Sequence, residues 1–164
     1  MNIWVVSDTH FGHTILQEKA GRPNNVDQIM LDNIEYIHMA PLDLFIHLGD
    51  ICIGNDSFWH KQLRLKVKGR MLLVLGNHDK RSISWYFNHG WGMVVNRFDL
   101  KRFGKRIAFT HEPIQVEDSF DLNIHGHLHN NTRITEYPVR KNIHKLVMME
   151  HHYKPIKLQT IINT

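Results

Sequence analysis

Side chains able to do chemistry fall in five short blocks: Asp8-Thr9-His10, Gly49-Asp50, Gly76-Asn77-His78-Asp79, His111, and His125-Gly126-His127-Leu128-His129. The last block holds three imidazoles in five residues. Each ring has two nitrogens that need partners, so the three do not serve together as apolar filler. A metal ion would satisfy them in common. Aspartate and asparagine oxygens from the other blocks would complete a mixed oxygen and nitrogen donor set. Without a thiolate, that set suits five- or six-coordinate Mn, Fe, Ni, Co or catalytic Zn, not a closed structural zinc site.

Each block follows an apolar run. Asn2 to Ser7, Leu42 to Leu48, Met71 to Leu75, Arg106 to Thr110 and Leu122 to Ile124 read as strands that stop at the chemistry. The turn signals Gly21-Arg22-Pro23-Asn24-Asn25 precede Val26, Met30, Asn33 or Ile34, and Ile37. This spacing predicts a helix with Asn25 placed to cap it and Pro41 ending it. Asn55-Asp56-Ser57 opens a second helix through about Leu65. Strand, helix, strand, helix, strand implies a parallel sheet with right-handed crossovers. Asp8, His10, Asp50, Asn77 and His78 would then converge on the crevice beyond the strand ends. Farther on, Ser82 to His89 reads as a helix, and Met93 to Val95 and Phe98 to Lys101 as strands. A hairpin turn is expected at Phe103-Gly104-Lys105, a late strand over Ile143 to Met149, and a closing turn at Tyr153 to Ile156.

At 164 residues and 42% hydrophobic, the chain suits one core, so residues 1–164 are expected to form a single α/β domain. Its longest apolar run, Met71 to Leu75, is far below the roughly 20 residues of a membrane span. The sequence opens directly into Ile3-Trp4-Val5-Val6 with no leader pattern, so a soluble, cytoplasmic protein is expected. A lone cysteine, Cys52, excludes an internal disulfide framework and reads as a small buried residue. A net charge of +4 and a pI of about 9.3 favour acidic partners such as phosphates without specifying nucleic acid. Lys61, Arg64, Lys66, Lys68 and Arg70, and then Lys101, Arg102, Lys105 and Arg106, read as solvated faces. Trp4, Phe45, Trp59, Trp85, Phe87 and Trp91 read as core packing, not as a base-stacking platform.

The ordered set Asp-x-His, Gly-Asp, Gly-Asn-His-Asp, His, Gly-His-x-His resembles the calcineurin-like metallophosphoesterase superfamily in all five blocks from Asp8 to His129. The Asp8-Thr9-His10-Phe11-Gly12-His13 loop, and the ending around Asn142 and Tyr153-Lys154-Pro155, are similar to its small prokaryotic and phage branch. The resemblance implies a layered α/β fold of mixed sheets flanked by helices, starting βαβαβ. It also implies two divalent transition-metal ions, Mn foremost, with Fe, Ni, Co or Zn as alternatives. Asp8, His10, Asp50 and His129 would hold one ion; Asp50, Asn77, His111 and His127 would hold the other, with Asp50 as the bridge. His78 would stabilise the transition state or protonate the leaving oxygen, and Asp79 would orient its ring. His125 is left without a ligand role. His13 is placed to touch substrate, and His47 to pack or support a ligand. His38, His60, His89, His144, His151 and His152 are expected at surface or supporting positions.

Two dications set against Asp8, Asp50 and a bridging hydroxide leave net positive charge, which calls for an anionic substrate. A phosphate ester fits, attacked in line by that hydroxide. Many members of the superfamily carry an arginine soon after Gly-Asp, where this chain reads Ile51-Cys52-Ile53-Gly54. Losing a bidentate phosphate contact should hurt a dianionic monoester more than a monoanionic diester. A phosphodiester, such as a cyclic or linear nucleotide, is therefore the expected substrate. The alternatives are a phosphomonoesterase of the same fold, a non-catalytic metal-binding scaffold, or a basic nucleic-acid-binding module. The oligomeric state is left open.

Overall fold

In the computed structural model, residues 1–117, 119–129, 137 and 139–164 are described. The apolar runs become strands whose alternate side chains serve two layers, as a period of two requires. A five-stranded sheet has the order β4-β3-β2-β1-β9. Its members are β1 (Ile3–Val6), β2 (Leu44–His47), β3 (Arg70–Val74), β4 (Met93–Val95) and β9 (Ile156–Lys157). β1 to β4 are mutually parallel, and β9 joins β1 antiparallel. A four-stranded sheet follows, in the order β5-β6-β7-β8, from β5 (Arg97–Arg102), β6 (Lys105–Thr110), β7 (Leu122–His125) and β8 (His144–Leu146). β5 and β6 form the expected hairpin, and β6, β7 and β8 run parallel.

Val5, Ile46, Leu72 and Val74 of the first sheet pack with Ile107, Phe109, Leu122 and Ile124 of the second. Their neighbours Val6, Phe45, Met71 and Leu73 point the other way, into a cluster with Met30, Leu31, Ile34, Leu63 and Tyr86. Those five come from helices α2 (Val26–Tyr36), α3 (Asp56–Lys66) and α4 (Ile83–Asn88). The architecture is thus helices on one sheet and a second sheet behind it, the layered α/β arrangement expected. Cys52 is buried, as its type suggested.

Several local expectations need correction. Asn25 stands at the N-cap of α2 but its side chain makes no capping bond, and α2 ends at Tyr36, well before Pro41. Ser82 does cap α4, accepting the Trp85 N–H. Three elements were not foreseen: α1 (Thr14–Lys19), β9, and α5 (Leu158–Asn163), which occupies the supposed end of the chain's structure. The late strand stops at Leu146, and a 3-10 turn covers Met149–His151. His60 is buried, not at the surface, and receives the Trp91 indole N–H at 2.9 Å. Phe87 is largely exposed, not core. No helix among the described residues is long and apolar enough to cross a membrane.

Candidate metal centre

Backbone pairing continues past the ends of β1 and β2. Asp8 N–H donates to Gly49 O, His10 N–H to Asp50 O, and Phe11 N–H to Ile51 O, at 3.0, 3.0 and 2.9 Å. The two loops therefore run side by side and present Asp8, His10 and Asp50 together. The chain must turn sharply there: Asp8, His10, Asp50, His127 and His129 all have positive φ, between 45° and 68°. For residues other than glycine such backbone costs about 1–3 kcal/mol each and concentrates at functional sites.

Each aspartate has one oxygen tied down and the other offered. Asp8 Oδ2 accepts the Ser7 hydroxyl and the His127 N–H, the latter at 2.9 Å. Its Oδ1 is buried without a hydrogen-bond partner, 3.5 Å from His129 Nε2 and 3.8 Å from His10 Nε2. Asp50 Oδ1 accepts the His78 N–H at 2.8 Å. Its Oδ2 lies 3.7 Å from His10 Nε2 and 3.5 Å from His111 Nε2, between two groups of donors. In one group His10 Nε2 and His129 Nε2 are 3.2 Å apart. In the other, His111 Nε2 meets Asn77 Oδ1 at 2.9 Å and His127 Nδ1 at 3.1 Å. Asp8, His10 and His129, and separately Asp50, His111 and His127, satisfy the spacing of metal-ligating triads.

The donor set favours a cation. Burial pushes the Asp8 carboxyl up, and the charges of His111 and His129 with the bonds from the Ser7 hydroxyl and the His127 N–H offset this only in part. Burial likewise disfavours charge on His111, but its bond to Asp50 and the charges of Asp8 and Asp50 outweigh this and push the ring up to about 9. Asp50 is desolvated too, yet His111, His78 N–H and His10 hold it down at about 2. An orphaned carboxylate oxygen and imidazole nitrogens facing one another are the arrangement that divalent ions relieve.

Glycine is required where the loops close on these carboxylates. A Cβ on Gly126 would stand 1.8 Å from Ser7 Oγ and 2.3 Å from Asp8 Oδ2. One on Gly76 would stand 2.3 Å from Asp50 Oδ1.

His78 sits at the mouth, half-exposed, with Nε2 3.9 Å from Asp50 Oδ2 and its ring edge-on to His10. Asp79 does not hold that ring: no hydrogen bond joins the two side chains among the described residues. Its carboxylate instead accepts the N–H groups of Asp50, Gly76 and Ile51, at 2.8, 2.9 and 3.3 Å, and so pins the ends of β2 and β3 together. His13 lies beside His10, their ring centroids 5.7 Å apart. His47 is buried behind the site, accepting the Gly49 N–H on Nδ1 and meeting Thr9 Oγ1 with Nε2. His125 is buried, with Nδ1 3.0 Å from Gly126 O, and belongs to neither ligating triad.

Two supporting residues escaped the sequence reading. Glu150 Oε1 accepts from His129 Nδ1 at 2.8 Å and from Arg22 Nε at 2.9 Å. Arg22, itself buried, also donates to the carbonyls of Thr9 and Asp8. Arg22 was read only as part of a turn. Glu150 did carry a signal, since Leu146-Val147-Met148-Met149 ends at an acid as the runs before Asp8 and Asp50 do.

The strand-end cluster of carboxylates and imidazoles offers two candidate sets of ligands for divalent metal ions. The sequence profile of the calcineurin-like phosphoesterase superfamily domain matches residues 1–143, and the chain belongs to that superfamily. It is 28% identical to an uncharacterized protein of Methanocaldococcus jannaschii over 98% of this chain and 89% of the relative. A crystal structure of an Aquifex aeolicus protein of unknown function superposes with a TM-score of 0.78 at 23% identity, covering 99% of this chain and 98% of the other. An archaeal phosphodiesterase superposes with a TM-score of 0.52 at 19% identity, over 77% of this chain and 73% of the other.

Proposed function

We propose that the protein hydrolyses phosphodiesters, such as cyclic or linear nucleotides, at a centre of two divalent transition-metal ions, Mn foremost. The observation that carries this reading is the position of Asp50 Oδ2, within 3.7 Å of a donor nitrogen from each of two groups. Asp8, His10, Asp50 and His129 would hold one ion, and Asp50, Asn77, His111 and His127 the other. When bound, such ions polarise a phosphate oxygen and make water nucleophilic near neutral pH. The protein's own part is positioning. Ser7 and the His127 N–H fix one oxygen of Asp8, the His78 N–H fixes one of Asp50, and the opposite oxygens are thereby aimed into the centre. Asp79 acts by holding the Gly49-Asp50 and Gly76-Asn77 loops at a fixed spacing. His78, exposed at the mouth, is placed to donate a proton to the departing alkoxide.

The diester preference is supported by the absence of an arginine between Ile51 and Gly54, as well as by the phosphodiesterase among the structural relatives. The test is metal analysis of the purified protein, followed by turnover of p-nitrophenyl phosphate and bis-p-nitrophenyl phosphate under Mn, Ni and Zn. Faster turnover of the diester is expected. Asp50→Asn should lower either rate by about 10²- to 10³-fold, the scale of a lost electrostatic element in an active site. Retained turnover in Asp50→Asn would refute the shared-carboxylate centre.

A further inference from the structure

At the opposite ends of the strands from the metal centre lies a cavity of about 630 Å³. Residues of β3, β4 and β5 line it, together with the segment that follows α3. Leu72, Met93, Phe98 and Leu100 give it apolar walls, and Arg64, Lys68 and Arg70 stand around it. The strand register separates it from the catalytic end: Leu44 pairs with Arg70 and Leu72 with Met93, whereas Gly49 and Gly76 follow the far ends of β2 and β3.

The charge around this cavity is one-sided. Among the described residues no carboxylate lines it, and none of its three basic side chains is in an ion pair. Arg64 donates to the Val67 carbonyl and Arg70 to the Leu42 carbonyl, both neutral acceptors. By contrast Lys66, on the same helix as Arg64, is paired with Glu35. These cations belong to the basic run that the sequence alone assigned to a solvated face. Solvation explains exposed lysines and arginines, but not an apolar cavity left open among them. Its volume falls within the range of small-molecule sites.

We propose that this cavity binds a single-chain anionic amphiphile, with the apolar chain against Leu72, Phe98 and Leu100 and the anionic head among Arg64, Lys68 and Arg70. A neutral chain would leave the cations uncompensated, and a small inorganic anion would leave the apolar walls wet.

The probe is 1-anilinonaphthalene-8-sulfonate, titrated into the Mn-loaded protein with fluorescence as the readout. Saturable one-to-one binding is expected, displaced by decanoate but not by decanol. Inorganic phosphate, which would occupy the metal centre, should leave the probe bound. Lys68→Glu with Arg70→Glu should weaken binding by about tenfold or more, as reversing contacting charges does. Leu100→Trp, which fills the cavity from the half-exposed β5, should abolish binding while both variants keep their turnover and cooperative unfolding. Absence of saturable binding, displacement by phosphate, equal competition by decanol, or wild-type affinity in both variants would each overturn the proposal.

Discussion

His129 Nδ1 and Glu150 Oε1 are joined by a hydrogen bond of 2.8 Å, which leaves His129 Nε2 facing His10 and Asp8. The bond fixes the ring's tautomer and raises its basicity, as a carboxylate behind a ligating histidine does. Arg22 holds that carboxylate in turn and clamps the carbonyls of Asp8 and Thr9. Glu150→Gln should therefore weaken metal binding by about 10- to 100-fold in a calorimetric titration with Mn. It also leaves buried Arg22 without its counter-charge, so a loss of about 3–5 kcal/mol in denaturant unfolding is expected. Unchanged metal affinity would show that His129 needs no partner behind it.

Gly126→Ala tests the close approach of the last block to β1. The added methyl would collide with Ser7 Oγ and Asp8 Oδ2, both inside the buried network. Overpacking of this kind costs about 1–3 kcal/mol. Because the displaced atoms aim Asp8, metal content should fall by more than stability alone explains. Elemental analysis of the folded variant, beside its unfolding curve, separates the two effects.

His78→Gln tests proton donation at the mouth. General acid catalysis contributes about 10²- to 10⁴-fold where the leaving group needs a proton. Alkyl or nucleoside esters should therefore slow by that factor, while activated p-nitrophenyl esters slow much less. Equal slowing of both would remove the acid role and leave His78 as an electrostatic contact.

The cluster of candidate ligands was readable in the sequence because each of its members ends an apolar run, a local pattern that survives without knowledge of the partners. Asp8, Asp50, Asn77, His111, His127 and His129 all carry it. Arg22 does not, since what ties it to the candidate site is Glu150, 128 residues away. Asp79 adjoins His78, which suggested a side-chain bond, but the turn directs its carboxylate to the N–H groups of Gly76, Asp50 and Ile51. Among the elements, α1 has six residues and an exposed Ile15, too short and too weakly striped for periodicity to report. α5 buries only Leu158 and Ile161, directly after a two-residue strand. His60 looked like a helix-surface residue because its partner, Trp91, comes from beyond α4.

That His60–Trp91 bond makes stability depend on pH. Nδ1 accepts the indole N–H, so the ring must stay neutral there. Burial pushes its pKa down from 6.5 to about 4; Asp56 opposes this, whereas His89 and Arg81 reinforce it. A folded-state pKa below the unfolded one means that the unfolded chain binds the proton first. The contribution is therefore complete above pH 6.5 and is lost as pH falls toward 4. Its full size is about 3 kcal/mol, at 1.36 kcal/mol per unit. His60→Gln can still accept the Trp91 N–H but cannot titrate. In urea unfolding followed by tryptophan fluorescence, the variant should lose less stability than the wild type between pH 6.5 and 4, by up to about that amount. Parallel pH profiles for the two proteins would mean that His60 is not held neutral at the expense of folding.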